Sequence, residues 1–241
     1  GRLKGLKVGV VANPASVDHT FGHVVDRARA AEGVTLAAIF GPQHGFRSDL
    51  QDNMIETPHA RDRARGLPIY SLYSETREPT DAMLAGLDTL VVDLQDFGTR
   101  VYTFIYTMAN CLRAAARVGL PVIVCDRPNP IGGLVVDGPM LAPGFESFVG
   151  MYPIPLQHGM TIGELARLFN DAFGIGALLL RAAHGRDALP PPAATAKELL
   201  REVVGRGHPL SRVALPDGPL ASLLGIALGR EGIGPARSLL A

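Results

Sequence analysis

Residues 88–129 read DTLVVDLQDFGTRVYTFIYTMANCLRAAARVGLPVIVCDRPN, and this stretch decides the fold. Two apolar, β-branched runs, Thr89–Leu94 and Pro121–Cys125, predict buried strands. Between them the apolar spacing over about Val101–Val118 predicts a helix, which Gly119 ends. A strand, a helix and a second strand of this kind form a parallel βαβ unit. Because both strands end in charged residues, where open α/β sheets bind ligands, the unit predicts the floor of a cleft.

Strands and helices alternate in the same way before this unit. The further predicted strands are Leu6–Ala12, Thr35–Phe40 and Pro68–Tyr73, and the predicted helices are Thr20–Ala31 and Pro79–Leu87. Residues 48–66 show no periodicity and predict a long loop. Since alternation over residues 1–130 requires parallel crossovers, the predicted fold is an α/β, Rossmann-like three-layer α/β/α domain with a mostly parallel sheet.

After this unit the chain is rich in Pro and Gly as far as about residue 160. Val149–Ile154 predicts a short strand in this region. A helix is predicted from Thr161 to Phe173, because Thr161 and Glu164 have the spacing of a capping box.

The composition changes near residue 177. Residues 177–241 contain no Phe, Tyr or Trp, although aromatic residues make up 6% of the chain. We therefore expect a Rossmann-like N-terminal domain, residues 1–176, and an atypical tail rich in Ala, Leu, Gly, Pro and Arg, residues 177–241. Composition leaves two interpretations open, an ordinary variable C-terminal region or a truncated or frame-shifted tail.

The net charge and the lengths of the apolar runs argue against several classes of function. A formal net charge of zero argues against nucleic-acid binding, and the absence of a run of about 18 apolar residues argues against a membrane span. The compartment stays open: the sequence begins at Gly1, so removal of an upstream signal would make the protein exported or periplasmic, and otherwise it is cytoplasmic. Cys111 and Cys125 are expected to be reduced core thiols. The oligomeric state cannot be predicted.

Motifs for cofactors and metals are missing from the sequence. The chain has neither the G-x-G-x-x-G order nor a Walker lysine, which disfavours a nucleotide-binding Rossmann domain. His44, His59 and His158 are too scattered for a zinc site, and no G-x-S-x-G motif is present. We expect no cofactor and no metal.

Polar residues follow the predicted strands, and a parallel sheet brings such positions to one edge. They form five clusters: Asn13; Gln43 and His44; Glu75; Asp93 to Asp96; and Asp126 to Asn129. Paired carboxylates among them would suit glycosidic cleavage.

Three arginines offer a second signal. Arg47, Arg100 and Arg127 could form a fork for a substrate carboxylate. In the alternative, Arg100 and Arg127 bridge to Asp96 and Asp126 and only hold the loops.

Six ordered motifs resemble the exo-β-N-acetylmuramidases of the NamZ type, formerly a domain of unknown function, over roughly residues 5–176. The motifs are Phe40–Arg47 (FGPQHGFR), Ile69–Tyr73 (IYSLY), Asp93–Thr103 (DLQDFGTRVYT), Asp126–Pro130 (DRPNP), Phe148–Gly150 (FVG) and His158–Thr161 (HGMT). The resemblance implies a glycoside hydrolase that releases terminal N-acetylmuramic acid (MurNAc) from the non-reducing ends of peptidoglycan fragments during cell-wall recycling. It also implies a Rossmann-like domain followed by a smaller domain, with the active site between them.

The resemblance also implies a muramyl saccharide as the ligand. The arginines could bind the lactyl carboxylate of MurNAc. The 2-acetamido group of MurNAc would permit substrate-assisted catalysis with one protein carboxylate. The candidate catalytic residues are Asp93, Asp96 and Glu75. The candidate substrate-binding residues are Asn13, Gln43, His44, Arg47, Arg100, Tyr102, Asp126, Arg127, Asn129 and His158.

Two departures from the family pattern leave two functions open. Gln43 stands where the family usually has its favoured catalytic Glu, and an amide cannot transfer the proton. Residues 177–241 show no family motif, which favours the truncated or frame-shifted tail. The chain is therefore expected to be a muramidase-type glycosidase that uses another carboxylate, or a catalytically inactive sugar-binding remnant.

Overall fold

The computed structural model describes residues 2–48 and 56–182, which contain nine strands and four helices. The strands are β1 (Lys7–Ala12), β2 (Thr35–Gly41), β3 (Ala60–Asp62), β4 (Leu67–Ser71), β5 (Thr89–Asp93), β6 (Val122–Cys125), β7 (Asp137–Met140), β8 (Pro155–Gln157) and β9 (Leu179–Ala182). The helices are α1 (Val24–Ala30), α2 (Asp81–Leu84), α3 (Phe104–Val118) and α4 (Ile162–Asp171).

Seven strands form the main sheet in the order β3-β4-β2-β1-β5-β6-β9. All neighbouring strands are parallel except β3, which pairs antiparallel with β4 at one edge. The chain builds outward from β1 through β2 to β4, and then crosses to β5, β6 and β9 on the other side. This order confirms the predicted Rossmann-like fold, and it places the topological switch point between β1 and β5.

Apolar side chains cover both faces of the sheet. Along β1, Val8 and Val10 belong to the core on the α1 side, whereas Val11 points to the core beneath α3 and α4. This alternation follows from the two-residue period of a strand, and it explains why the parallel strands read as continuous apolar runs. α3 is buried along most of its length. The result is the three-layer arrangement that the sequence predicted.

The helix ends follow local signals. Thr161 Oγ1 accepts a hydrogen bond from the Glu164 N–H, and Glu164 Oε2 accepts one from the Thr161 N–H, so the predicted capping box is confirmed. Gly119 adopts the left-handed conformation at the end of α3, as expected. The first helix is shorter than predicted. It begins at Val24 because Val17 and His23 pair across a tight loop that takes up the residues between them.

Two predictions about the irregular segments were wrong. The predicted loop over residues 48–66 contains β3, whose backbone pairs with β4. Val149–Ile154 is not a strand, because hydrogen bonds in both directions between Ser147 and Gly150 close a turn there. The small second sheet is instead formed by β7 and β8, which pair antiparallel.

The sheet continues past residue 176, the expected end of the N-terminal domain. β9 pairs with β6 in register from Val122 opposite Leu179 to Cys125 opposite Ala182, so the start of the expected tail completes the sheet edge. Residues 183–241 lie outside the described residues, and the expectation for that part of the tail stays a prediction.

Cys111 and Cys125 are free thiols, and burial raises the pKa of Cys125 to about 12. In the part of the chain that the structure describes, no helix is long and apolar enough to cross a membrane.

Candidate functional site at the carboxyl edge of the sheet

The parallel pairing places the five predicted polar clusters along one edge of the sheet. From β4 to β6 the strand order brings Glu75, Gln43, Asn13, Asp93 and Asp126 along this edge in turn. The clusters differ, however, in their hydrogen-bond partners and burial. These two properties distinguish residues that hold loops from residues that are exposed at the edge.

The switch-point crevice is closed by the chain's own polar groups. Asn13 Nδ2 donates to the Gln95 carbonyl oxygen at 3.1 Å, and Ser16 Oγ donates to the Asp93 carbonyl oxygen at 2.5 Å. Asn13 and Ser16 are both buried and also bond to each other. Because Rossmann domains bind nucleotides in this crevice, the network argues against a nucleotide site and gives Asn13 a structural role.

Asp93 and Arg127 form a buried ion pair. Arg127 Nε lies 2.5 Å from Asp93 Oδ1, and Nη2 lies 3.0 Å from Oδ2, while the two side chains are 9% and 2% exposed. Nη1 donates to the Val17 carbonyl oxygen at 3.0 Å. Bidentate pairing of this kind engages both carboxylate oxygens of Asp93. Asp93 therefore fits a structural role better than an acid/base role.

The arginine cluster expected from the sequence is divided among separate partners. Arg100 Nη1 donates to the carbonyl oxygens of Pro139 and Ile154, both at 2.7 Å, and does not pair with Asp96. Arg47 is exposed, with Nη2 3.5 Å from Asp62 Oδ2. Arg100 and Arg127 thus hold loops, as in the alternative that the sequence left open, but through other partners.

Asp126, the partner expected for Arg127, accepts instead from the Gly163 N–H at 2.9 Å, at the start of α4. Asn129 likewise bonds within the loops, since its Nδ2 donates to the Met160 carbonyl oxygen and its Oδ1 accepts from the Ile131 N–H. Both predicted substrate-binding residues therefore tie the loop after β6 to its surroundings.

Asp96 and His158 face each other in the interior. His158 is fully buried, and its Nδ1 accepts from the Met160 N–H at 3.1 Å. Its Nε2 lies 3.3 Å from Asp96 Oδ2 but has no hydrogen-bond partner among the described residues, whereas Asp96 Oδ2 accepts from the Gly98 N–H at 2.8 Å. Asp96 Oδ1 is buried and has no hydrogen-bond partner among the described residues. Asp96 is 5% exposed, so both side chains lie below the surface of the edge.

The loop over residues 95–103 presents an exposed aromatic pair. The rings of Phe97 and Tyr102 stack with centroids 4.2 Å apart, and the two residues are 47% and 43% exposed. The loop is fixed from below, because the Arg100 N–H donates to the Leu156 carbonyl oxygen at 2.7 Å and Thr99 pairs with Gln157. The result is a rigid, flat apolar surface open to solvent.

The loop after β2 aims Gln43 at this aromatic loop. Gln43 Oε1 accepts from Thr103 Oγ1 at 2.8 Å. The loop turns back sharply, because His44 and Gly45 both have left-handed φ angles, 69° and 80°. A side chain at Gly41 would lie 2.6 Å from the Phe46 amide nitrogen, so this turn requires glycine. A left-handed non-glycine residue such as His44 stores strain, which occurs most often at functional sites.

Glu75 differs from the other two candidate carboxylates. It is exposed, and among the described residues no hydrogen bond or ion pair engages it. Next to it, the Arg77 guanidinium lies 3.9 Å from the centroid of the Tyr73 ring, which packs against Phe148. Glu75 is thus the one accessible carboxylate of the three.

Sequence reasoning did not single out Phe97, Thr103 or Ser16. Phe97 and Thr103 lie within the Asp93–Thr103 motif, which was the available signal, whereas Ser16 has no signal in the sequence. Among the residues that the structure describes, no group of His, Cys, Asp and Glu is arranged to hold a metal ion.

Comparison with known proteins gives a consistent result. The family model described as "Exo-beta-N-acetylmuramidase NamZ, N-terminal" matches residues 8–184. The chain is 50% identical over 176 residues to the peptidoglycan beta-N-acetylmuramidase NamZ of Bacillus subtilis (strain 168), which covers 73% of this chain and 42% of the relative.

Two crystal structures of DUF1343 family proteins from Bacteroides fragilis NCTC 9343 are also similar. One has a TM-score of 0.67 and 41% identity, covering 75% of this chain and 45% of that chain. The other has a TM-score of 0.63 and 30% identity, covering 84% and 56%. The chain therefore spans about half the length of the relatives that it matches.

Proposed function

The chain belongs to the family of NamZ exo-β-N-acetylmuramidase N-terminal domains, and from this membership we propose that it serves a glycoside hydrolase acting on peptidoglycan fragments. The reaction would release terminal MurNAc from the non-reducing end. The observation that carries the proposal is the 50% identity to a curated peptidoglycan β-N-acetylmuramidase over 176 residues. The match to the family model covers residues 8–184, which include the five polar clusters at the carboxyl edge of the sheet.

The geometry of the edge supports a saccharide as the ligand. A pyranose ring has an apolar C–H face, and the exposed Phe97–Tyr102 pair offers a flat aromatic surface against which such a face can pack. Beside this pair, the Gln43 amide is fixed through Thr103 and keeps its NH₂ group available for a sugar oxygen. We assign the sugar site to Gln43, His44, Tyr102 and Thr103.

Cleavage of a glycosidic bond needs an acid that protonates the departing oxygen. Asp93 is engaged by Arg127, and Asp96 is buried against His158, so neither presents a free carboxyl group to the edge. Glu75 is exposed and follows the strand next to that of Gln43. We therefore assign the acid/base role to Glu75, with the substrate's 2-acetamido group as the nucleophile, so that one protein carboxylate is sufficient.

Hydrolysis of a chromogenic MurNAc glycoside tests the assignment. Glu75→Gln should lower kcat by roughly 10²- to 10⁴-fold, the usual contribution of a general acid/base. Asp96→Asn is the matched control, because the amide oxygen can still accept from the Gly98 N–H, and we expect its rate to stay within a few-fold of wild type. A Glu75→Gln variant with wild-type kcat, or an Asp96→Asn variant that loses all activity, would reject the assignment.

A second function is favoured by one observation, the glutamine at position 43. In that case the chain binds the saccharide at the same edge without cleaving it. Calorimetry with MurNAc separates the two functions, since binding without turnover identifies a sugar-binding protein. Absence of both binding and turnover would reject both functions.

A further inference from the structure

A pocket of about 490 Å³ is lined by the loop after β2, by β3 with the turn that follows it, and by β4. Its volume lies in the range of pockets that bind small organic molecules. The loop contributes Gly45–Arg47, and β4 contributes Ile69 and Ser71. None of the four residues assigned to the sugar lines it. The pocket is therefore separate from the proposed sugar site.

Three arginine side chains line this pocket, Arg47, Arg61 and Arg63, and all three are exposed. Arg61 donates through Nη2 to the Gly66 carbonyl oxygen at 2.9 Å, which leaves its other N–H groups free to bind a ligand. Arg63 makes no hydrogen bond or ion pair with any residue that the structure describes. No Asp or Glu stands among the described residues that line the pocket. The pocket is thus positively charged.

The carboxylate that lies between these arginines in the sequence, Asp62, does not neutralise them. Asp62 Oδ1 accepts from the Arg65 N–H at 3.0 Å, and Oδ2 lies 2.5 Å from Arg65 Nη1. Arg47 Nη2 is farther from Oδ2, at 3.5 Å, and the Arg47 side chain is 59% exposed whereas that of Asp62 is fully buried. Since Arg65 occupies Asp62, most of the Arg47 guanidinium faces solvent with its charge uncompensated.

Two hydroxyl groups in the walls have hydrogen-bonding capacity that the protein does not use. Thr57 Oγ1 is buried and has no hydrogen-bond partner among the described residues. Ser71 is 2% exposed, and its Oγ accepts from the Tyr73 N–H at 3.0 Å but donates to no group in the described part of the chain. Because buried polar groups are nearly always satisfied, unused donors beside a charged pocket favour a bound polar ligand.

We propose that this pocket binds a small organic anion, with a carboxylate or phosphate group held by Arg47 and Arg63 and an apolar body packed against Phe46. Guanidinium groups suit both kinds of anion, because their planar N–H groups bond two oxygens at once. Phe46 is buried and supplies an apolar wall. This inference does not rest on the proposed function, because no residue assigned to the sugar lines the pocket.

Calorimetry with the whole chain tests the proposal with three probes that share a benzene ring: benzoate, phenyl phosphate and benzamide. We expect at least one of the two anions to bind, and the one that binds more tightly identifies the preferred charged group. Benzamide has the shape of benzoate without its charge, so its Kd should be at least about tenfold higher. The affinity for the anion should fall as the salt concentration rises.

Two arginine variants locate the site. Arg63→Met should raise the Kd of the bound anion about tenfold, the usual effect of losing a charge-assisted hydrogen bond, and should unfold at the wild-type urea concentration because Arg63 has no partner to lose. Arg29→Met is the matched control, since Arg29 is an exposed arginine of α1 that does not line the pocket. We expect it to bind the anion like wild type.

Three results would overturn the proposal. The first is a wild-type chain that binds neither anion with a Kd below about 10 mM. The second is equal affinity for benzoate and benzamide, which would identify an apolar pocket that does not recognise charge. The third is an equal loss of anion affinity in Arg63→Met and Arg29→Met, which would show that the anion responds to the total charge of the chain and not to this pocket.

Discussion

Replacement of Arg127 by Met should destabilise the fold by about 3–5 kcal/mol, the usual cost of removing one partner from a buried ion pair. Two hydrogen bonds to Asp93 would be lost, together with the bond to the Val17 carbonyl oxygen. The Asp93 side chain is only 2% exposed, so water cannot replace the guanidinium. The methionine side chain fills most of the same volume, and the measured change therefore reports the uncompensated charge more than a cavity.

Urea unfolding followed by far-ultraviolet circular dichroism measures this change. Lys4→Met is the control, because it removes an ion pair with Glu32 whose side chains are 64% and 90% exposed, and exposed pairs contribute little. We expect no measurable loss of stability in that variant. A double variant, Arg127→Met with Asp93→Leu, should be more stable than the sum of the two single changes predicts, because no charge stays buried.

Two results would refute this reasoning. The first is an Arg127→Met variant that loses less than about 1 kcal/mol, which would mean that Asp93 finds another partner or is solvated. The second is strict additivity in the double variant, which would mean that the two side chains do not interact. Either result would also return Asp93 to the set of carboxylates available for catalysis.

Two further predictions concern the side chains of Asp62 and Gln43. Asp62 is buried, and burial alone would raise its pKa, but bonds from Arg65 outweigh this and hold the pKa below its ordinary 3.8. Ionised Asp62 therefore stabilises the fold fully at pH values above its ordinary pKa of 3.8. This stabilisation is lost as the pH falls through the lower pKa that Asp62 has in the folded state. Asp62→Asn should flatten the decline in thermal stability between about pH 5 and pH 2, and an unchanged pH profile would contradict this. Gln43→Glu keeps an oxygen that can accept from Thr103 Oγ1 but loses the NH₂ group assigned to a sugar oxygen, and because Glu75 already supplies the carboxylate we expect hydrolysis of a MurNAc glycoside to rise by less than about tenfold. A rise of about 10²-fold or more would move the acid/base role from Glu75 to position 43.

The alternation of strands and helices was predictable because it depends on residues that are close together in the sequence. An apolar run such as Thr89–Leu94 is buried on both faces of the sheet, and the Thr161–Glu164 capping box needs only residues three apart. The same logic correctly placed the polar clusters at one edge, since parallel strands share their direction. Segments without periodicity, including β3 and the turn at Ser147–Gly150, were missed because backbone pairing alone defines them.

The partners of the charged residues were not predictable in the same way. Spacing along the chain suggested Arg127 with its neighbour Asp126, yet Arg127 reaches across to Asp93 at the end of the adjacent strand, while Asp126 accepts from the Gly163 N–H. Likewise, nothing in the sequence indicated that Asp96 would be buried against His158 and Glu75 left exposed. These outcomes depend on which strands lie side by side and how their loops pack.

The sequence by itself therefore determined the layers, the strand direction and the edge at which a ligand site can form, because hydrophobic periodicity and turn residues act over a few positions. Only the tertiary structure decided which residues at that edge hold loops and which face solvent, separating Asp93, Asp96 and Arg127 from Glu75 and Tyr102. The physical reason is that ion pairing and burial depend on distances between residues far apart in the chain, and those distances are set only when β5 lies between β1 and β6.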